Sequence, residues 1–297
     1  MQSAKKIYGI IPPVTTPFDM NGEIDEKAFE TQCNWFYEKG CHGITVGGST
    51  GEGHTLDPVE NKKVAELAVK TVGKEIPVIA GIITDSTRDA VTRGNMIANT
   101  GVVALQVTPV HYLFRPDDEA MQKHFHIVSK ETGLSVIIYN VVPWSYLSPE
   151  LLCHILSQET GVIGVKQSAG DLKLLADLLE LAPKESLILS AVDALLYPSF
   201  CLGADGAVAA ILSAAPGACV ALWDSIKNGD HNRALDLHKV LLNLWNAIEG
   251  DNLPACVKYA QTIQDCPGGL PRSPMSESTE LQKKKINQSI NLINDIL

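Results

Sequence analysis

The chain has 297 residues, of which 45% are hydrophobic and 20% are charged, and its net charge at pH 7 is −10. This composition excludes a disordered chain, and a core of this size needs no disulfide or structural metal. Nucleic acid is excluded as a partner, because phosphate binding needs a basic face and the longest run of Lys or Arg has only three residues.

In chain order, short apolar runs rich in β-branched residues alternate with amphipathic stretches. Runs of this kind are typical of strands buried on both faces, as in a parallel sheet. The predicted strands are 8–14, 43–46, 77–83, 103–108, 134–139, 162–166, 187–190 and 206–210. The helices predicted to follow them are 25–39, 58–72, 87–100, 117–131, 149–158, 171–182, 193–202 and 216–227.

Eight βα units predict an α/β fold whose strands close into a (β/α)8 TIM barrel over residues 1–228. The alternative is an open doubly wound sheet, which would need a glycine-rich dinucleotide turn after the first strand. That strand runs instead into Pro-Pro-Val-Thr-Thr-Pro, which cannot cradle a pyrophosphate. The remaining pattern is helical only, at 231–248, 253–263 and 280–296. Residues 229–297 are therefore predicted to form a three-helix extension packed on the barrel.

The cysteines and the apolar runs indicate a cytoplasmic protein. The seven Cys residues are odd in number and form no CxxC pair, which suits a reducing compartment. Residues 1–6 are polar and the first apolar run contains Pro12 and Pro13, so no secretory signal is expected. No stretch approaches the ~18 apolar residues of a membrane span.

Two residues at neighbouring strand ends point to carbonyl chemistry, because reactive groups of a β/α barrel lie at the C-terminal ends of its strands. Lys166 ends the sixth predicted strand and Tyr139 ends the fifth. Burial favours the free amine of a lysine, which attacks carbonyls, and a phenol beside it can act as general acid or base. Either residue alone also fits a structural role, but neighbouring strands place the two side by side.

The segment Gly48-Ser49-Thr50-Gly51-Glu52 follows the second predicted strand. Glycines allow a tight turn, and two hydroxyls beside free N–H groups form an anion site suited to a carboxylate. A turn with a capping hydroxyl is the structural alternative. The same residues match the GxSxG elbow of serine hydrolases, with Ser49 as nucleophile. No HGGG-type segment precedes it, and a hydrolase would leave Lys166 and Tyr139 without roles.

Metal-ligand spacing is absent from the sequence. His124 and His126 lie two residues apart on a predicted helix and so point to different faces, and no HxxxH or CxxC motif occurs. No metal site is expected.

Taken together, the order and spacing of these segments resemble the dihydrodipicolinate synthase/N-acetylneuraminate lyase family of class I Schiff-base aldolases across nearly the whole chain. The matching segments are Val14-Thr15-Thr16-Pro17-Phe18, Gly48-Ser49-Thr50-Gly51-Glu52, Tyr139-Asn140 with Val142-Pro143, Gly164-Val165-Lys166 and Gly203-Ala204-Asp205-Gly206.

The resemblance implies a lyase in which Lys166 forms an imine with pyruvate or another 2-keto acid and Tyr139 relays the proton. It implies that Ser49 and Thr50 hold the keto-acid carboxylate, with Thr50 also counted among the catalytic residues. It further implies a cytosolic homotetramer, a dimer of dimers, that needs no metal or organic cofactor. The other pocket residues that it suggests are Gly48, Tyr112, Ala191 and Val208.

Departures from the family pattern bear on the second half of the substrate. The lysine-biosynthesis synthases carry an Arg five residues after the strand-five Tyr. Here that position is Trp144, or Ser145 or Tyr146 in a shifted alignment, and no Arg or Lys lies between Tyr139 and Lys166. An indole cannot replace a bidentate carboxylate clamp. We therefore expect cleavage or formation of a carbon–carbon or carbon–oxygen bond in a 2-keto-3-deoxy acid, with 4-hydroxy-tetrahydrodipicolinate synthase activity as the alternative.

Two smaller departures concern the pocket walls. The synthases carry a Tyr-Tyr pair after the Thr-Pro of strand four, one member of which reaches a neighbouring subunit's site. Here Val110 takes the first position, so His111 or Tyr112 would have to replace that tyrosine. Ala191 stands where the family has Gly after strand seven, which narrows the pocket slightly.

Overall fold

The computed structural model of the chain describes residues 7–297, which form an α/β barrel with added helices. The polar segment 1–6, where no secretory signal was expected, lies outside the described residues. The strands are β1 Gly9–Ile10, β2 Ile44–Val46, β3 Val78–Ile82, β4 Ala104–Val107, β5 Val136–Asn140, β6 Val162–Gln167, β7 Leu187–Ser190 and β8 Gly206–Ala207. The helices are α1 Glu26–Glu38, α2 Pro58–Val72, α3 Thr87–Ile97, α4 Asp118–Thr132, α5 Pro149–Gln158, α6 Leu172–Leu181, α7 Leu196–Cys201, α8 Ala210–Ala214, α9 Pro216–Lys227, α10 His231–Ile248, α11 Leu253–Thr262 and α12 Glu280–Asn294.

The strands are parallel and pair in the order β1-β8-β7-β6-β5-β4-β3-β2. The gap between β1 and β2 is closed just after β1, where Pro13 and Thr45 form a parallel bridge. The Thr45 N–H donates to the Pro12 carbonyl at 3.0 Å and the Val14 N–H donates to the Thr45 carbonyl at 2.8 Å. The predicted closed barrel is confirmed, and the open doubly wound sheet is wrong.

The interior of the barrel is apolar below its C-terminal mouth. The side chains that fill it are buried and form a cluster separate from the larger core between the strands and the helices. Polar residues begin above this layer, at the C-terminal mouth of the barrel, where β/α barrels carry their reactive groups. The buried interior residues are Ile11, Ile79, Ala104, Ile137, Leu189 and Val208.

Helix boundaries follow the capping signals closely. Asp57 accepts from the N–H groups of Val59 and Glu60, while Glu60 accepts from the Asp57 N–H, and Pro58 occupies the first helical position of α2. This reciprocal arrangement satisfies N–H groups that a helix start leaves unpaired. Helices α2, α5, α9 and α10 accordingly have the predicted bounds.

Three predicted elements need correction. The first strand is limited to Gly9–Ile10 because Pro12 and Pro13 have no N–H to donate to a ladder. The helix predicted from 193 begins as a 3₁₀ turn, Asp193–Leu195, and α7 starts only at Leu196, which leaves Pro198 in its first turn. The eighth strand ends at Ala207, and Ala210, the last residue predicted for this strand, begins the short helix α8.

The C-terminal helices pack against the barrel's own helices. Helix α10 contacts α9 and α12, and α11 contacts α8. A division of the chain at residue 228 stays a prediction. No helix within residues 7–297 is long and apolar enough to cross a membrane.

Candidate active site

A cavity of about 430 Å³ lies at the C-terminal mouth of the barrel. Its floor is formed by residues that end strands or follow them directly, and its rim includes residues from the segment that leads into α11. The strand-end residues that line it are Ser49, Thr50, Tyr139, Lys166, Ala191 and Val208. The rim residues include His54, Gly250, Asp251, Leu253, Pro254 and Met275.

Lys166 lies in β6 directly opposite Tyr139 of β5. Only 4% of Lys166 is exposed, and its Nζ lies 3.6 Å from the centroid of the Tyr139 ring. Among the described residues no carboxylate oxygen lies within 4 Å of this amine. Burial lowers the pKa of Lys166 to about 7, although the charge of Asp193 opposes the change. A large fraction of the amine is therefore neutral and nucleophilic at neutral pH.

The Tyr139 hydroxyl lies between the amine and the turn that follows β2. Its Oη is 3.3 Å from the Ser49 Oγ, close enough for a hydrogen bond in which either atom donates. Burial raises the pKa of Tyr139 to about 12, while the bond to Ser49 opposes this. The phenol is thus protonated at neutral pH and is able to donate a proton to an atom bound in the cavity.

The residues from 48 to 53 form a tight turn. The Glu52 N–H donates to the Ser49 carbonyl and the Gly53 N–H donates to the Gly48 carbonyl, both at 3.0 Å. Gly51 is required here because a Cβ would lie 2.6 Å from the Val14 carbonyl oxygen. No hydrogen bond within residues 7–297 uses the N–H groups of Thr50 and Gly51. The turn can therefore offer these donors and the hydroxyls of Ser49 and Thr50 to an anion.

The geometry at Ser49 does not support a serine hydrolase. The Ser49 hydroxyl contacts a tyrosine, whereas a nucleophilic serine needs a histidine base within hydrogen-bond reach. The turn also leads into a 3₁₀ segment, Gly53–Thr55, instead of the helix that directly follows a nucleophile elbow.

The other residues named from the sequence differ in their relation to the cavity. Val208 and Ala191 line it and are buried. Gly48 lies at the base of the turn and does not line the cavity. Tyr112 is 69% exposed on the loop between β4 and α4 and does not line the cavity of its own chain. Its predicted role in a neighbouring subunit stays a prediction.

Trp144, Ser145 and Tyr146 occupy the region where the lysine-biosynthesis synthases carry an Arg. Trp144 is 66% exposed, and its indole N–H donates to the His111 carbonyl at 2.7 Å. Ser145 donates to the Val110 carbonyl and Tyr146 donates to the Ser168 carbonyl, at 2.9 and 3.4 Å. None of the described residues that line the cavity is an arginine.

Sequence reasoning missed Asp193, which lines the cavity from the 3₁₀ turn after β7. Its Oδ1 accepts from the Ile211 N–H at 2.8 Å, and burial raises the pKa of its carboxyl to about 6 against the opposing effects of this bond and of Lys166. Its place three residues beyond the end of β7 was the available signal. Asp251 and Met275 carried no such signal, because they come from the C-terminal extension.

Comparisons with known proteins agree with this geometry. A model of the dihydrodipicolinate synthetase family matches residues 6–293. The chain belongs to the dihydrodipicolinate synthetase family. It is therefore an enzyme of the lysine Schiff-base lyase type.

Individual relatives are similar over nearly their whole length. The chain is 31% identical to the 4-hydroxy-tetrahydrodipicolinate synthase of Methanopyrus kandleri, with 96% of each chain covered. The synthase structure from Methylacidiphilum fumariolicum superposes with a TM-score of 0.90 and 27% identity, covering 98% of this chain and 97% of that one. CdNal from Clostridium difficile, solved in complex with mannosamine, gives a TM-score of 0.88 and 25% identity, covering 98% and 100%. The chain is thus similar to proteins that carry different names.

Proposed function

We propose that this enzyme binds a 2-keto acid such as pyruvate as an imine of Lys166. The observation that carries the proposal is an amine that is buried in the cavity without an ion-pair partner among the described residues, so that desolvation lowers its pKa to about 7. The neutral amine adds to the keto carbon, and loss of water then leaves the imine. The protonated imine acts as an electron sink when a bond to the adjacent carbon breaks or forms.

Tyr139 and the turn after β2 supply the remaining groups. The Tyr139 hydroxyl gives a proton to the departing oxygen and later takes one from the substrate, which requires the hydrogen-bond chain to Ser49. The hydroxyls of Ser49 and Thr50, with the unused N–H of Thr50, bind the carboxylate of the keto acid, and Thr50 thereby assists catalysis. Gly48 contributes its carbonyl to the turn by accepting from the Gly53 N–H, while Val208 and Ala191 limit the space around the keto carbon.

For the second half of the substrate we favour a 2-keto-3-deoxy acid that is cleaved to pyruvate or dehydrated. The absence of a guanidinium from the cavity lining supports this, because a second carboxylate would lack its bidentate partner. The alternative is 4-hydroxy-tetrahydrodipicolinate synthase activity, which the names of the relatives favour. Turnover of pyruvate with aspartate semialdehyde, compared with cleavage of 2-keto-3-deoxy acids, separates the two.

We further propose a cytoplasmic homotetramer in which Tyr112 approaches a neighbouring subunit. Tyr112, Leu113, Phe114 and Trp144 are each at least 66% exposed, and they belong to two loops joined by the bond from Trp144 to His111. An exposed apolar cluster of this kind is typical of a contact between subunits. Sedimentation analysis of the protein tests the assembly, and a monomer would contradict it.

Incubation with pyruvate and sodium borohydride, followed by peptide mass spectrometry, tests the imine. We expect a reduced pyruvyl adduct on Lys166 that Lys166→Ala abolishes. Lys123→Ala removes an exposed lysine of α4 and serves as the matched control, which should label as the wild type does. If the wild type remains unlabelled with pyruvate and with bulkier 2-keto acids, the proposed function is wrong.

A further inference from the structure

The last residue of the turn motif, Glu52, has no part in the proposed chemistry, yet it is one of the most constrained residues of the chain. It is completely buried, and its backbone adopts the left-handed conformation at φ 54°, which favours glycine over a residue with a side chain. A buried carboxylate needs charged and hydrogen-bonding partners to offset its desolvation. We therefore infer that the side chain of Glu52 anchors the turn.

The partners of the Glu52 carboxylate come from the C-terminal part of the chain. Its Oε1 lies 2.5 Å from Nζ of Lys258 in α11, and its Oε2 accepts from the Arg272 N–H at 2.9 Å. Lys258 is 2% exposed and also donates to the Leu270 carbonyl at 2.7 Å. Each oxygen of the carboxylate is thus held by a different segment, at separations of 206 and 220 residues along the chain.

The same C-terminal segments form part of the wall of the active-site cavity. Leu253 and Pro254 line the cavity from the first turn of α11, one helical turn before Lys258. Met275 lines it three residues after Arg272. The ion pair between Glu52 and Lys258 consequently connects the turn that carries Ser49 and Thr50 to this part of the cavity wall.

We propose that Glu52 and Lys258 form a positioning pair that fixes the carboxylate-binding turn relative to this wall. Glu52 touches no substrate in this proposal. It holds the left-handed end of the turn, so that the hydroxyls and N–H groups of Ser49 and Thr50 keep the spacing that a carboxylate needs. The proposal rests on the proposed function, because it assigns the turn to the carboxylate of the keto acid.

The pair should affect ground-state binding more than chemistry. The keto-acid carboxylate is bound equally before and during the reaction at the keto carbon, so a loosened turn weakens both states alike. The concentration of pyruvate for half-maximal labelling should rise, while the rate of labelling at saturation should change little. Loss of folded protein alone would lower the amount of adduct without changing that concentration.

The test uses the double variant Glu52→Gln/Lys258→Met, which removes both buried charges together and so leaves neither unpaired. We expect it to fold, to retain the adduct on Lys166, and to require about tenfold more pyruvate for half-maximal labelling. The matched control is Glu280→Gln/Lys283→Met, the same chemical change in a surface ion pair of α12. The control should label with the wild-type concentration dependence.

Two outcomes separate this inference from the proposed function. A wild type that never labels contradicts the proposed function. A wild type that labels, with a folded double variant of unchanged half-maximal concentration, contradicts the positioning pair alone. If the double variant does not fold, Glu52→Asp provides the second variant. It keeps the charge on a side chain one methylene shorter, and an unchanged half-maximal concentration for this folded variant would overturn the proposal.

Discussion

Two buried lysines, Lys166 and Lys258, show how the same side chain serves different purposes in one molecule. They are 4% and 2% exposed, and in both cases burial lowers the pKa. Lys258 has the Glu52 carboxylate at 2.5 Å, whose charge opposes this effect, whereas Lys166 has an aromatic ring at 3.6 Å and Asp193 beyond ion-pair distance.

The presence of a bonded carboxylate therefore decides which lysine is a nucleophile. A buried ammonium paired with a carboxylate stays charged and joins segments of the fold. A buried amine without such a partner loses its proton near neutral pH and is free to react. Burial alone does not mark a catalytic lysine, and the comparison predicts opposite behaviour when each residue is changed.

The largest effect is expected from the group that serves the unpaired lysine. Tyr139→Phe removes the hydroxyl and leaves the ring beside Lys166 in place. We expect the rate of adduct formation at saturating pyruvate to fall by about 10²- to 10⁴-fold, the usual contribution of a positioned general acid or base. The measurement is the time course of borohydride trapping. Tyr197→Phe, which removes a hydroxyl near His231, is the control. A Tyr139→Phe rate within threefold of wild type, as an order of magnitude, would contradict the proton relay.

The next effect is on stability, and its sign should differ between the two lysines. Lys258→Met leaves the Glu52 charge buried and unpaired, which should cost about 3–5 kcal/mol of unfolding free energy. Lys166→Met should instead raise it by about 1–4 kcal/mol at pH 7. The unfolded chain binds a proton on Lys166 up to its pKa of 10.5, while the folded chain binds it only up to about 7. Stability therefore rises with pH between these values, and the destabilisation is complete below about 7.

Denaturant unfolding of the two variants at pH 7 measures the sign of each change in unfolding free energy. Lys283→Met, which removes a partly exposed lysine paired with Glu280 on the surface, should leave the unfolding free energy close to that of the wild type. If Lys166→Met and Lys258→Met destabilised the fold equally, the distinction between the two lysines would be wrong.

The role of Lys166 could be predicted from the sequence, whereas the role of Lys258 could not. Lys166 and Tyr139 end adjacent apolar runs, and strand ends meet in space in any barrel. Lys258 and Glu52 are separated by 206 residues, and no local sequence pattern predicts that this face of α11 packs against the turn after β2. The family motif identified Glu52 as part of a matching segment. The partners of its carboxylate, however, depend on how the C-terminal segments pack.

The elements of the fold could also be predicted where local patterns define them. The prediction was wrong where tertiary contacts decide the structure. Helix α2 begins at an Asp-Pro cap and has one buried face, so its bounds followed from local rules. Helix α8, Ala210–Ala214, is buried on all sides. An apolar run without a polar face has the same appearance in a buried strand and in a buried helix, and only the tertiary contacts distinguish them.

The smallest expected effect concerns the influence of the Asp193 charge on the pKa of Lys166. Within residues 7–297, Asp193 is the one charged group that opposes the lowering of the Lys166 pKa, and its own pKa of about 6 leaves its carboxyl mostly ionised at pH 7. Because adduct formation requires the neutral amine, the wild-type rate should rise with pH around 7. Asp193→Asn removes the opposing charge, so the amine should lose its proton more easily and the inflection should move down by about one pH unit.

Rates of borohydride trapping across pH 5.5–9, a range chosen to bracket about two units around the expected inflection, measure this shift. Asp251→Asn is the matched control, since Asp251 lines the same cavity but is exposed, so that solvent screens its charge from Lys166. An inflection that moved upward in Asp193→Asn would mean that the carboxyl is neutral beside the amine and acts as a hydrogen-bond donor. An inflection that moved equally in both variants would mean that the cavity's overall charge sets the reactivity of Lys166, and the contrast with Lys258 would then be one of degree.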